Sequence, residues 1–292
     1  MELKGILPPV PTPFIDDQVA PEKLKENILK WNKTGLSGYL ILGSNGESVM
    51  LNEKEKTQII ETAREAIPKE KIMMVGAGAE STQETIRFVQ IVSDCGADCA
   101  LVITPSFFKS AVTQEALYQH YVKVADASKI PILLYSVPQY TGVSLQFGTV
   151  ARLAEHPNIA GMKDSSGDMS LFADLVAFTP KDFAVFVGSA TVLLPALSLG
   201  AVGGILAVAN VVPDACVRLF QYYQTGKIEP ARQIQFNINP IAKAVTSQYG
   251  VAGLKAAMEL VNYFGGAPRL PLLGVDDKAK LEMHTYIQMA LS

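Results

Sequence analysis

Eight short apolar runs, each followed by a helix-like segment, predict an α/β fold of the (β/α)8 barrel (TIM barrel) type with a C-terminal three-helix appendage. The runs do not alternate apolar with polar residues, so they read as parallel strands buried on both faces. Near residue 226 the strand signal stops and only helical periodicity continues. The expected division is therefore a barrel over residues 1–225 and a helical region over 226–292.

The strands fall at residues 5–7, 38–42, 72–76, 100–104, 132–135, 159–163, 183–188 and 203–207. The helices between them carry start signals. Pro21 suits the first turn of a helix over 21–34. Asn52 with Glu55, and Ser81 with Glu84, have capping-box spacing before helices over 56–66 and 85–93. Thr113 can cap a helix over 114–127. Further helices fit 145–155, 169–178, 190–199 and 214–225, and the appendage fits 229–247, 251–264 and 276–290. The competing architecture is an open doubly wound sheet, which would place a Gly-rich turn after its first strand. Here Pro8, Pro9, Pro11 and Pro13 follow that strand instead.

The 292-residue chain is 49% hydrophobic and 18% charged, with a net charge of −3, a composition that suits a large folded core and not a disordered chain. With no basic cluster, neither nucleic acid nor a membrane is an expected partner. No apolar run approaches the ~20 residues of a membrane span. No signal peptide is visible, so a cytoplasmic location is expected; a mitochondrial one stays open if a transit segment has been removed. Cys95, Cys99 and Cys216 are too few and too scattered for a disulfide framework, and His120, His156 and His284 lie in polar, helix-like stretches. All six read as structural or surface residues, and no metal is expected.

In a barrel of this kind chemistry sits where strands end. Lys163 closes the apolar stretch Ile159-Ala160-Gly161-Met162 and should point inward or at the barrel mouth. Attack on a carbonyl needs a neutral amine, and burial favours the neutral form of a lysine. Position alone also allows, and slightly favours, an ion pair with Asp164 or Glu47 or a stem that reaches solvent. Tyr135 ends the neighbouring strand. Strands about 4.8 Å apart let two inward side chains at one height meet, and a phenol beside an amine can pass protons. A core tyrosine bonded to backbone is the alternative. The turn Gly43-Ser44-Asn45-Gly46-Glu47 offers N–H groups and short polar side chains to a small carboxylate or phosphate. Gly188-Ser189-Ala190 and the glycines of 200–204 lie where barrels often hold phosphate, which keeps a phosphosugar enzyme in view.

Together, Gly43–Glu47, Tyr135-Ser136-Val137-Pro138 and the stretch from Gly161 to Asp168 resemble the family of pyruvate-dependent class I aldolases and synthases that includes dihydrodipicolinate synthase and N-acetylneuraminate lyase. The resemblance runs from Pro8-Pro9-Val10-Pro11-Thr12-Pro13-Phe14 to the C-terminal helices. Within the family the likeness is greatest to the 4-hydroxy-2-oxoglutarate aldolases, through Ser44-Asn45, Ser136, Met162-Lys163-Asp164-Ser165, Gly200-Ala201-Val202-Gly203-Gly204 and Ala209-Asn210-Val211. The synthases usually have Asn at Ser136 and an Arg just after the Val-Pro, where Gln139 and Tyr140 stand here.

The resemblance implies that Lys163 forms an imine with a 2-oxo acid and that Tyr135 relays protons. Ser44 and Asn45 would bind the substrate carboxylate, with Gly46, Ser165, Gly188 and Ile205 completing the substrate-binding set. No cofactor or metal is implied. The implied reaction cleaves a 4-hydroxy-2-oxo acid to pyruvate and an aldehyde; synthase, 2-keto-3-deoxy sugar acid aldolase and non-catalytic binding roles are the alternatives. The implied assembly is a homotetramer, a dimer of dimers. One departure stands out: the paired tyrosines that the family carries after the fourth strand are replaced by Phe107 and Phe108.

Overall fold

The structure is a computed structural model that describes residues 2–292. Eight parallel strands form the barrel: β1 (Gly5–Leu7), β2 (Gly38–Ile41), β3 (Ile72–Gly76), β4 (Cys99–Ile103), β5 (Ile132–Ser136), β6 (Ile159–Asp164), β7 (Ala184–Val187) and β8 (Gly203–Ile205). Consecutive strands are neighbours, and β1 also pairs with β8. The last seam, between β1 and β2, passes through the prolines. Proline has no N–H, so the chain bonds β2 through what remains. Ile6 and Pro8 accept from Ser37 and Leu40, and the Val10 amide donates to Leu40 at 2.8 Å. The ring is thereby complete, and the open doubly wound sheet is excluded. At the β1–β8 seam a Cβ on Gly203 would lie 1.9 Å from the Gly5 carbonyl oxygen, so close approach demands glycine there.

Helices follow each strand: α1 (Pro21–Trp31), α2 (Glu53–Ala66), α3 (Thr82–Asp94), α4 (Gln114–Ala127), α5 (Phe147–Ala154), α6 (Met169–Ala177), α7 (Leu193–Leu199) and α8 (Pro213–Gln224). Their starts follow the cap chemistry. Asn52 and Glu55 exchange both bonds of a capping box, and Thr113 accepts from the Ala116 amide. Ser81 caps in one direction only: it accepts from the Glu84 amide, while the Glu84 carboxylate is drawn away by Arg87. The full box expected there is not formed.

Two apolar layers result. Inside the barrel, Leu7, Leu40, Met74, Leu101, Leu133 and Phe186 pack against one another. A larger core fills the space between strands and helices. It extends into the C-terminal helices α9 (Ile228–Lys243), α10 (Gly250–Leu260) and α11 (Asp277–Leu291), which contribute Ile238, Leu254, Met258 and Met283. These helices form the expected C-terminal helical region, and their apolar side chains are continuous with the barrel core. The continuous helix expected over 229–247 instead ends at Lys243 and passes into a five-residue π-turn, Ala244–Gln248. Among the described residues no helix is long and apolar enough to cross a membrane.

His120 is not a surface residue. It is buried in α4, its Nδ1 2.9 Å from Thr82 Oγ1, and burial pushes its pKa down to about 4. Between pH 6.5, its ordinary value, and pH 4 the unfolded chain binds the proton and the folded chain does not. Stability should therefore fall as pH drops through that window, by roughly 3 kcal/mol. Denaturant midpoints compared with those of His120→Gln check this, because the variant should show a correspondingly flatter acid-side decline.

Candidate active site

Strand parity places the central residues. Along β5, Leu133 and Tyr135 face the barrel interior, as does Val137 just beyond the strand. Along β6 the inward positions are those of Gly161 and Lys163, and Met162 turns to the outer core. Tyr135 and Lys163 are register partners, so they stand side by side at one height. Lys163 is only 4% exposed, and its Nζ lies 4.4 Å from the centre of the Tyr135 ring.

The ion-pair alternatives for Lys163 fail for a physical reason each. Asp164 is one residue on, hence on the opposite face. Its carboxylate accepts from the Ser166 hydroxyl at 2.8 Å and the Ser166 amide at 3.3 Å, and burial raises its pKa. Glu47 is held elsewhere: its carboxylate lies 2.6 Å from the buried Lys255 Nζ and accepts from the Arg269 amide at 2.8 Å. Nor does the stem reach bulk solvent. Among the described residues no acidic side chain pairs with Lys163.

Lys163 and Tyr135 open into a cavity of about 570 Å³ at the C-terminal end of the strands, a size typical of small-ligand sites. Of the residues singled out in the sequence, Asn45, Ser165, Gly188 and Ile205 also line it. Ser44 stands at its edge, with its Oγ 3.2 Å from the Tyr135 hydroxyl. Gly46 is not part of the wall; it is buried, and its carbonyl accepts from Thr12 Oγ1 at 2.6 Å. The Ser44 and Asn45 amides open a 3-10 turn, Ser44–Gly46, and have no backbone carbonyl partner.

Gly188 has a steric reason to be glycine. A Cβ there would lie 1.9 Å from Ser165 Oγ and 3.0 Å from Lys163 Cε. The Gly188 amide is already engaged, donating to the Asp164 carbonyl at 2.7 Å, so it is not free to hold a phosphate.

The cavity also contains residues that sequence reasoning missed as site residues. Lys243, Thr246 and Ser247 reach it from the end of α9 and the π-turn, and Thr191 from the turn after β7. Strand-end logic could not find the α9 group, because it lies outside the barrel repeat. Among the described residues that line the cavity, two are lysines and none is acidic.

The model of the dihydrodipicolinate synthetase family matches residues 2–290. The chain belongs to this family. It is 35% identical over 287 residues to the 4-hydroxy-tetrahydrodipicolinate synthase of Methanococcus aeolicus, covering 98% of each chain. With the protein of the same name from Methanoculleus marisnigri it shares 36% over 283 residues, 96% of each. The crystal structure of dihydrodipicolinate synthase from Thermotoga maritima superposes with a TM-score of 0.95 at 29% identity, covering 99% of both chains. Family membership makes the chain an enzyme of the carbon–carbon lyase type that uses pyruvate in aldolase chemistry. These relatives carry the synthase name, so the likeness to 4-hydroxy-2-oxoglutarate aldolases holds only at the level of the family.

Gly188→Ala should leave the fold intact and lower lyase turnover by about 100-fold, since displacing a reacting group by about 1 Å has that effect. Adding Ser165→Gly removes the nearer clash and should return the thermal midpoint of Gly188→Ala toward that of the wild type. Turnover measured beside circular dichroism and thermal melting checks both effects.

Proposed function

We propose that this enzyme cleaves a 4-hydroxy-2-oxo acid, of which 4-hydroxy-2-oxoglutarate is the type, to pyruvate and an aldehyde, here glyoxylate. Lys163 Nζ attacks the C2 carbonyl, and loss of water leaves an iminium. The Tyr135 hydroxyl gives its proton to the departing water, and the phenolate so formed takes the proton from the C4 hydroxyl. The C3–C4 bond then breaks with its electron pair moving toward the iminium, which gives the aldehyde and an enamine. Protonation at C3 and hydrolysis release pyruvate and restore the amine. Ser44, in contact with Tyr135, extends the proton path, and the Ser44-Asn45 turn with Ser165 receives the C1 carboxylate. The observation that carries this reading is a buried lysine, with no counter-ion among the described residues, against a phenol in one cavity.

Two features favour cleavage over the synthase reaction named for the relatives. Gln139 and Tyr140 occupy the place where the synthases usually carry the arginine that grips their second substrate. Gln139 is moreover engaged, donating to the Ser166 carbonyl at 2.9 Å. Among the described residues no acidic side chain lines the cavity, so it offers nothing to a cationic second substrate.

A non-catalytic binding role has one observation in its favour. Phe107 and Phe108 are 77% and 71% exposed, stack edge to face at 5.0 Å, and bring no hydroxyl. In the cleavage reading they pack across a subunit boundary within a homotetramer, and Tyr135 with Ser44 provides the proton path.

The test is a substrate panel. Pyruvate release from 4-hydroxy-2-oxoglutarate at about 1 per second or faster is expected, with Tyr135→Phe slower by about 100-fold or more. Condensation of pyruvate with aspartate semialdehyde at the higher specificity constant would make it a synthase. Binding of 2-oxo acids without turnover of any panel member would contradict the cleavage reading.

A further inference from the structure

Among the described residues the cavity wall carries two lysines and no acid, which has a consequence for the substrate. Lys163 is committed to the carbonyl carbon, and the Ser44-Asn45 turn lies on its Tyr135 side. Lys243 stands on a different wall, where α9 passes into its π-turn. Pro240 inside α9 removes one helical N–H, and the five-residue π-turn follows four residues later. Such turns recur at functional sites because they redirect side chains. Here Ala242, Ala244 and Val245 are buried in the core, while Lys243, Thr246 and Ser247 share the face turned to the cavity.

The Lys243 ammonium is unengaged: among the described residues no carboxylate pairs with it and no acceptor bonds it. Some of the neighbouring polar groups are occupied. Ser189 and Thr191 bond each other at 2.8 Å, and Gln139 is held by Ser166. A cavity with one cation reserved for covalent work and a second facing it unpaired is matched by a ligand with two negative ends.

We infer that Lys243 determines specificity by holding a second, distal carboxylate, so that the enzyme prefers 2-oxo dicarboxylates to 2-oxo monocarboxylates of the same length. The inference rests on the Schiff-base reading above and names the group that the aldehyde half must carry. Lys243 touches no reacting atom in this assignment; its charge orients the chain that is to be cleaved.

The test does not require turnover. Borohydride trapping is titrated with 2-oxoglutarate and with 2-oxopentanoate, which differ only in the distal carboxylate, in the wild type and in Lys243→Met and Lys243→Arg. Lys243 is exposed, so neither change disturbs the core. The wild type should reach half-maximal trapping with the diacid at a concentration about tenfold lower, the size of one charge-assisted hydrogen bond. Lys243→Met should abolish the preference and Lys243→Arg should keep it. With 4-hydroxy-2-oxoglutarate as substrate, Lys243→Met should raise KM about tenfold with kcat within about threefold. Equal trapping of both acids by the wild type, or a preference that survives in Lys243→Met, overturns the assignment. Failure of any 2-oxo acid, pyruvate included, to be trapped overturns the Schiff-base reading itself and the inference with it.

Discussion

The site depends on one constraint: a β-strand turns successive side chains to opposite faces. On β6 that alternation sends Lys163 into the barrel and Asp164 out of it, although the two are adjacent in sequence. A lysine shut into an apolar tube would ordinarily take a carboxylate with it. Here the adjacent carboxylate is removed by parity and the other candidate, Glu47, by a competing cation, Lys255. The amine is left beside Tyr135 with the cavity as its only outlet. A one-residue shift of β6 in its register would exchange the two and leave an acid where the amine stands.

The C-terminal helices belong to this arrangement. Lys255 on α10 holds Glu47 from a wholly buried position, its Nζ also donating to the Ala267 carbonyl at 3.0 Å and lying over the Phe14 ring. Arg269 joins the same network through Asp17 and Glu55. Breaking such a buried pair on one side typically costs about 3–5 kcal/mol, so the turn after β2 is anchored firmly next to Ser44 and Asn45. From α9 and its π-turn come three cavity-lining side chains. The barrel builds the floor of the site, and the last helices build part of its wall.

How far the sequence is legible follows from this division. Continuous apolar runs mark the eight strands within a residue or two, because parallel strands buried on both faces have no polar positions to blur them. Lys163 and Tyr135 are conspicuous because each ends such a run. What stays hidden is pairing across long sequence distance. Nothing near Glu47 announces that Lys255 will claim it, so position in the sequence slightly favours a structural role for Lys163, such as an ion pair. The capture of Glu84 by Arg87 spoils a capping box that spacing alone predicts. Lys243 is invisible for a third reason: on a helix of mixed polarity, a lysine reads as solvated unless the neighbouring wall is known. Gly46 shows the reverse error, a glycine in a site-like turn whose role is to pack.

Two lysines line the cavity, and the account assigns the covalent role to only one of them. Reduction with borohydride in saturating pyruvate, followed by peptide mass mapping, decides between them directly. The account predicts a single pyruvyl addition, located on Lys163, with Lys243 unmodified. An unmodified Lys163, or an adduct carried by Lys243, would contradict it.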